Sequence, residues 1–117
     1  MEATNTRFNK IKLTSKTNKN YKCPLFDEIK RLIKNGRNKE TINAAIERIQ
    51  AIESEFIIYG DIEGAIFSKN HLAKAYLKAA KISKDLTSQI FYLHGAQSSM
   101  YEIQMLQEQD NNIYILN

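Results

Sequence analysis

Ile42, Ala45, Ile49, Ile52, Phe56 and Tyr59 recur at steps of 3, 4, 3, 4 and 3. A strand alternates with a period of two. A seam of this spacing, held for nearly three heptads, therefore commits its segment to an α-helix with one apolar stripe. Ala44, Ile46 and Ile57 widen the stripe, and Asn43, Glu47, Gln50 and Ser54 mark the wet side. The helix is expected from about Lys39 to Tyr59, capped by Asn38, with a length of about 30 Å. Its stripe has to be covered by something. Three heptads favour a helical bundle over a free coiled coil.

The neighbouring segments supply the cover. Pro24 suits the first turn of a helix ending near Asn35, because its missing N–H is not needed there. Asp27 and Glu28 fall early in that helix and Lys30, Arg31 and Lys34 late, as the helix dipole favours. Phe26, Ile29 and Ile33 give it an apolar stripe, and Gly36 is placed to end it in the left-handed conformation. Gly60 is a stop and Asp61 a start, so the second and third helices are expected to fold back as an antiparallel hairpin. The third helix, Ile62 to about Lys84, has a broad face rich in alanine at 73, 75, 79 and 80. Lys74, Lys78 and Lys81 form one outer strip. After the cap-like Asp85-Leu86-Thr87-Ser88, a fourth helix is expected from Thr87 to Gln109. Its stripe is Leu93, Ala96, Met100, Ile103 and Leu106, extended by Ile90. Gly95 inside it costs about 1 kcal/mol relative to Ala.

Tyr59-Gly60-Asp61-Ile62-Glu63-Gly64-Ala65 resembles the turn between the two helices of a tetratricopeptide repeat. It is also similar to the inter-helix turn of the small three-helix microtubule-interacting-and-trafficking domains. The resemblance implies a helical hairpin. The chain has no 34-residue repeat, so it implies no array.

The ends differ from the middle. Residues 1–39 carry a net charge of +8 and residues 40–117 a net charge of −4. Residues 1–22 read as a basic arm, unstructured or with a brief strand where Ile11 and Leu13 alternate with Lys10 and Lys12. Residues 23–110 read as the helical domain. Residues 111–117, with Ile113, Tyr114, Ile115 and Leu116, read as an apolar, β-prone tail that docks on the body, pairs with 10–14 or pairs with another chain. The fold class is thus all-α: a small antiparallel bundle of three to four helices.

Several function classes are excluded or disfavoured. Cys23 is the only cysteine, so there is no disulfide framework and no Cys-rich zinc site, and a reducing, cytoplasmic setting is the simpler expectation. No apolar run approaches 18 residues. The polar N-terminus lacks a secretory h-region. His71 and His94 lack the spacing of a zinc or di-iron pair, and read as structural or surface residues. The four glycines are scattered, which leaves no phosphate-binding loop. Glu53, Glu55 and Glu63 read as solvated carboxylates. No enzyme activity, metal or cofactor is expected.

Two binding readings remain. Arg7, Lys10, Lys12, Lys16, Lys19 and Lys22 come every three or four residues with Phe8 and Tyr21 among them, and Lys30, Arg31 and Lys34 carry the charge onto the first helix. Such cations neutralise phosphates, and aromatics stack on bases. Lys outnumbers Arg, so base-specific readout is not implied. Phe67, Tyr92 and Tyr101 lie off the main stripes and, with Ile113 to Leu116, suggest a protein interface. The leading expectation is a small regulatory protein that binds a larger protein or complex, of adaptor or inhibitor type, with self-association into a homodimer. The alternative is a nucleic-acid-binding accessory protein. The abundance of Ile (16), Lys (13) and Asn (11) points to an AT-rich genome, such as that of a low-GC bacterium or its phages, which makes a viral or mobile-element origin part of the expectation.

Overall fold

The computed structural model describes the backbone of residues 23–116 and the side chains of residues 23–109. The chain there forms a small antiparallel helical bundle, with no strand among the described residues. Its elements are α1 (Phe26–Asn35), α2 (Lys39–Ile58), α3 (Ile62–Ile82) and α4 (Leu86–Leu116). No described helix is long and apolar enough to cross a membrane. The arm residues Arg7, Lys10, Lys12, Lys16, Lys19 and Lys22 lie outside the described residues.

The breaks follow local chemistry. Pro24 sits one step earlier than expected, in a turn that leads into α1, where Phe26 N–H donates to the Cys23 carbonyl at 2.8 Å. Gly36 ends α1 with extended rather than left-handed backbone. Its lack of a side chain still matters, because a Cβ would stand 2.6 Å from the Ile42 methyl. The Asn38 side chain accepts from Thr41 N–H at 2.8 Å and caps α2. Gly60 takes φ +73°, the one positive φ among the described residues, and reverses the chain. The Asp61 carboxylate then accepts from Gly64 N–H at 2.8 Å and starts α3. Asp85 does the same for Ser88 N–H at 2.8 Å, and Ser83 is extended, so α3 and α4 are separate helices.

The α2–α3 hairpin is the centre of the molecule. Helices α2 and α4 both pack on α3, and α1 packs on α2 and α3. The core joins Phe26 and Ile29 of α1, Ile42, Ala45, Ile46 and Ile49 of α2, and Leu72, Ala75, Ala79 and Ala80 of α3. From α4 it takes Tyr92, and Ala96 of the same helix is also buried. The α2 seam is buried down to Ile49, and Ile52 and Phe56 are half-buried. Tyr59 lies exposed at the hairpin tip.

Helix α4 departs from expectation in two ways. Its buried face is Tyr92, Ala96 and Ser99, with Ile103 and Leu106 half-covered. The expected Ile90, Leu93 and Met100 are instead 45–48 % exposed. The cause lies in its neighbour. Gly95 lets the Tyr76 ring of α3 lie directly against the α4 backbone, so close that a Cβ would sit 2.8 Å from the ring. Beside that approach the small Ala96 and Ser99 turn inward, and Tyr92 goes inward where its hydroxyl reaches Asn43. The second departure is the tail. Residues 111–116, read as a β-prone tail, continue the helix. An established helix adds one backbone hydrogen bond per residue, and Ile, Tyr and Leu cost it only tenths of a kcal/mol each. The side chains of Ile113, Tyr114, Ile115 and Leu116 lie outside the described residues.

Candidate functional site

The first candidate surface is the outward side of α4. Because, among the described residues, the α4 backbone packs on α3 alone and reaches α2 only through the Tyr92 side chain, one of its sides has no described helix against it. Leu86, Ile90, Leu93, Gln97, Met100 and Gln104 follow one another along that side at steps of 4, 3, 4, 3 and 4. Leu86 is 69 % exposed and Tyr101, beside Met100, is 63 % exposed. Phe91 and Met105 flank the row and are also exposed. From Leu86 to Tyr101 the helix contains no Asp, Glu, Lys or Arg. Ordinary monomer surfaces interleave charge with apolar residues, so this run stands out on a chain that is 26 % charged.

Of the three aromatics expected at an interface, the fold leaves only Tyr101 fully outside. Tyr92 is 6 % exposed and is a core residue. Its hydroxyl lies 3.0 Å from the Asn43 side-chain oxygen and donates to it, tying α4 to α2. Phe67 is half-buried at the α1–α3 junction. Its ring meets Phe26 edge-on at 5.1 Å and His71 at 4.6 Å. Phe67 stands three residues after buried Gly64 and Tyr92 four before buried Ala96, on the inner sides of α3 and α4.

The second candidate surface is cationic. Lys30, Arg31 and Lys34 are all exposed on α1. The fold adds two lysines from α3. The Lys78 ammonium donates to the Lys34 carbonyl at 3.2 Å, and Lys74 and Lys30 both act on His71. None of Lys30, Lys34, Lys74 and Lys78 lies within ion-pair distance of a described carboxylate. Lys30 rests over the Phe67 ring, 5.7 Å from its centre. Beside these residues an open cleft of about 580 Å³ is lined by Glu28, Arg31, Arg37, Asn38 and Thr41. Glu28 is engaged by Arg48 of α2 at 3.2 Å.

Inside the bundle sits a charged group that sequence reasoning did not anticipate. Lys69 of α3 pairs with Glu53 of α2 and, at 2.7 Å, with Glu102 of α4. Lys69 and Glu53 are each 8 % exposed, so Glu53 is not the solvated carboxylate expected of it. The spacing does carry the signal. Glu53 stands seven residues after Ile46 and four after Ile49, which puts it on the buried seam. Burial drags the Lys69 ammonium toward lower pKa, but the bonds and charges of Glu102 and Glu53 more than offset this and hold it above its ordinary 10.5. With both carboxylates committed to one ammonium, the group reads as a three-helix clamp.

His71 is 9 % exposed and lies in the Phe26–Phe67 cluster. Its Nδ1 is 3.1 Å from the Phe67 carbonyl. A carbonyl only accepts, so the bond places the proton on Nδ1. Burial pushes its pKa below 6.5, helped by Lys74 and Lys30 and opposed by the bond to Phe67. Among the described residues, no three His, Cys, Asp or Glu side chains converge as a metal site. Compared with protein families, curated proteins and solved structures, the chain matches none of them.

Proposed function

We propose that the chain is a non-enzymatic binding protein that acts through protein–protein contact, with the outward side of α4 as its contact surface. The observation that carries this reading is the uncharged row from Leu86 to Tyr101, exposed on a helix with a single helical neighbour. Depletion of charge together with Met and aromatic residues is the composition of an interface centre. The partner must offer an equally apolar, uncharged ridge. Immobilised full chain is expected to retain its partner from a host extract after nuclease treatment, and the Leu93→Asp variant is expected to lose it. Equal retention by both would overturn the reading.

A second reading has its own support. The unpaired cluster of Lys30, Lys34, Lys74 and Lys78 favours contact with nucleic-acid phosphates, together with the basic arm that precedes it in the chain. For about five phosphate contacts, the log–log salt slope on duplex DNA would be roughly −4 to −5. Changing Lys10, Lys12, Lys16 and Lys19 together to Ala should flatten it and weaken all sequences alike. No binding at ~50 mM salt would remove this reading.

A further inference from the structure

The occupant of the α4 surface follows from its chemistry. We propose that it is a second copy of the same chain, giving a two-fold dimer sealed by Leu86, Ile90, Leu93, Gln97, Met100 and Gln104. The inference rests on the protein-binding reading above and names the partner.

Three observations lead there. The row keeps the alternating 4 and 3 spacing of a two-helix seam for nearly three heptads. That spacing fits another helix carrying the same row. Isoleucine at one seam position (Ile90) and leucines at the other (Leu86, Leu93) are the pairing that two-stranded seams favour.

Next, the row is uncharged. A row paired with its own copy in parallel brings each side chain near its like, so a charged row would repel itself. A heterologous partner is normally selected by flanking charge, and none lies between Leu86 and Tyr101. Gln97 is the polar residue at the middle of the row. Opposite leucine its amide would lose its hydrogen bonds, whereas opposite another Gln97 the two amides satisfy each other. The residue therefore sets the register of a parallel pairing, in which each seam residue faces its own copy.

The third observation is area. Leu86, Ile90, Leu93, Met100 and Tyr101 are each 45–69 % exposed, and Gln97 and Gln104 of the row are exposed as well. At on the order of 100 Å² apiece they offer about 700 Å² per copy, close to the ~800 Å² per partner of a standard stable interface.

The test uses the full chain. Sedimentation equilibrium should give the mass of two chains at micromolar concentration, with little change between low and high salt because the seam carries no charge. Leu93→Asp should raise the dissociation constant by about a hundredfold or more while the helical CD spectrum is kept, since Leu93 lies outside the core. In a Cys23→Ser background, Gln97→Cys should form a disulfide-linked dimer under mild oxidation, and Glu47→Cys on α2 should not. A monomer at every concentration overturns the proposal. So does a dimer that tolerates Leu93→Asp and leaves Gln97→Cys uncrosslinked. A monomer that nevertheless retains another protein through Leu93 overturns the second copy and leaves the protein-binding reading standing. A chain that does neither overturns both.

Discussion

Removing the Lys69 ammonium isolates a single interior interaction. In Lys69→Met the side chain keeps most of its length and loses its charge. Glu53, with its side chain 11 % exposed, is then left as a carboxylate without its cation. Breaking a buried pair from one side costs about 3–5 kcal/mol. Glu102 is in a different position. Its side chain is 51 % exposed, so water screens it, and Glu102→Gln should cost at most about 1 kcal/mol. The double variant Lys69→Met/Glu53→Leu removes both buried charges and should return to within about 1 kcal/mol of the parent, or exceed it. Urea unfolding followed by far-UV CD reads all of these. At a slope of about 1.5 kcal/mol/M, Lys69→Met should lower the midpoint by about 2–3 M. The interaction also has a pH signature. Lys69 is held above 10.5 in the fold, so its contribution is complete below about pH 10.5 and is lost as pH rises through the folded value. If Lys69→Met and Glu102→Gln cost the same small amount, the pair is not desolvated and the reasoning fails.

Three further outcomes are expected. His71 is held below 6.5 by burial, so the fold should lose stability as pH falls from about 6.5 through the folded value; His71→Phe should flatten that acid dependence of the melting temperature. Gly95→Ala gains about 1 kcal/mol of helix propensity but drives a methyl into the Tyr76 ring, an overlap worth about 1–3 kcal/mol, so thermal melting should show a net loss. A higher melting temperature would mean the ring gives way freely. Ile49→Asp places an unpaired charge at a fully buried position and should cost several kcal/mol, enough to abolish the cooperative CD transition.

The α2 seam, the caps at Asn38, Asp61 and Asp85 and the Gly60 reversal were legible in the sequence because each depends on residues within a few positions of one another. Asn38 and Asp61 cap their own helices, and a seam spaced 3 and 4 is a property of one segment. What failed depended on neighbours. Which side of α4 faces inward was decided by the Tyr76–Gly95 approach, a contact between residues 19 apart that favours small side chains over Leu93 and Met100. Tyr92, a large residue, went inward where Asn43 accepts from its hydroxyl. Glu53 looked solvated because a carboxylate on a helix usually is, and its partner Lys69 lies on another helix. The uncharged run on α4 was visible in the sequence, but its exposure became visible only once α4 had a single helical neighbour. The cationic cluster was half legible: Lys30, Arg31 and Lys34 share α1, and Lys74 and Lys78 join them only through the packing of α1 on α3.

The uneven sharing of the core also orders how the molecule comes apart. Of the fifteen buried apolar residues described, thirteen belong to α1, α2 and α3 and two, Tyr92 and Ala96, to α4. Local opening costs scale with the apolar contacts given up. Beyond Gln97 only Ser99 of α4 is fully buried among the described residues, so amides in this distal half should exchange with solvent through local fraying, while those of α2 and α3 wait for the whole bundle to unfold. A partner seated on α4 should suppress that fraying, and slower exchange in α4 alone would report it.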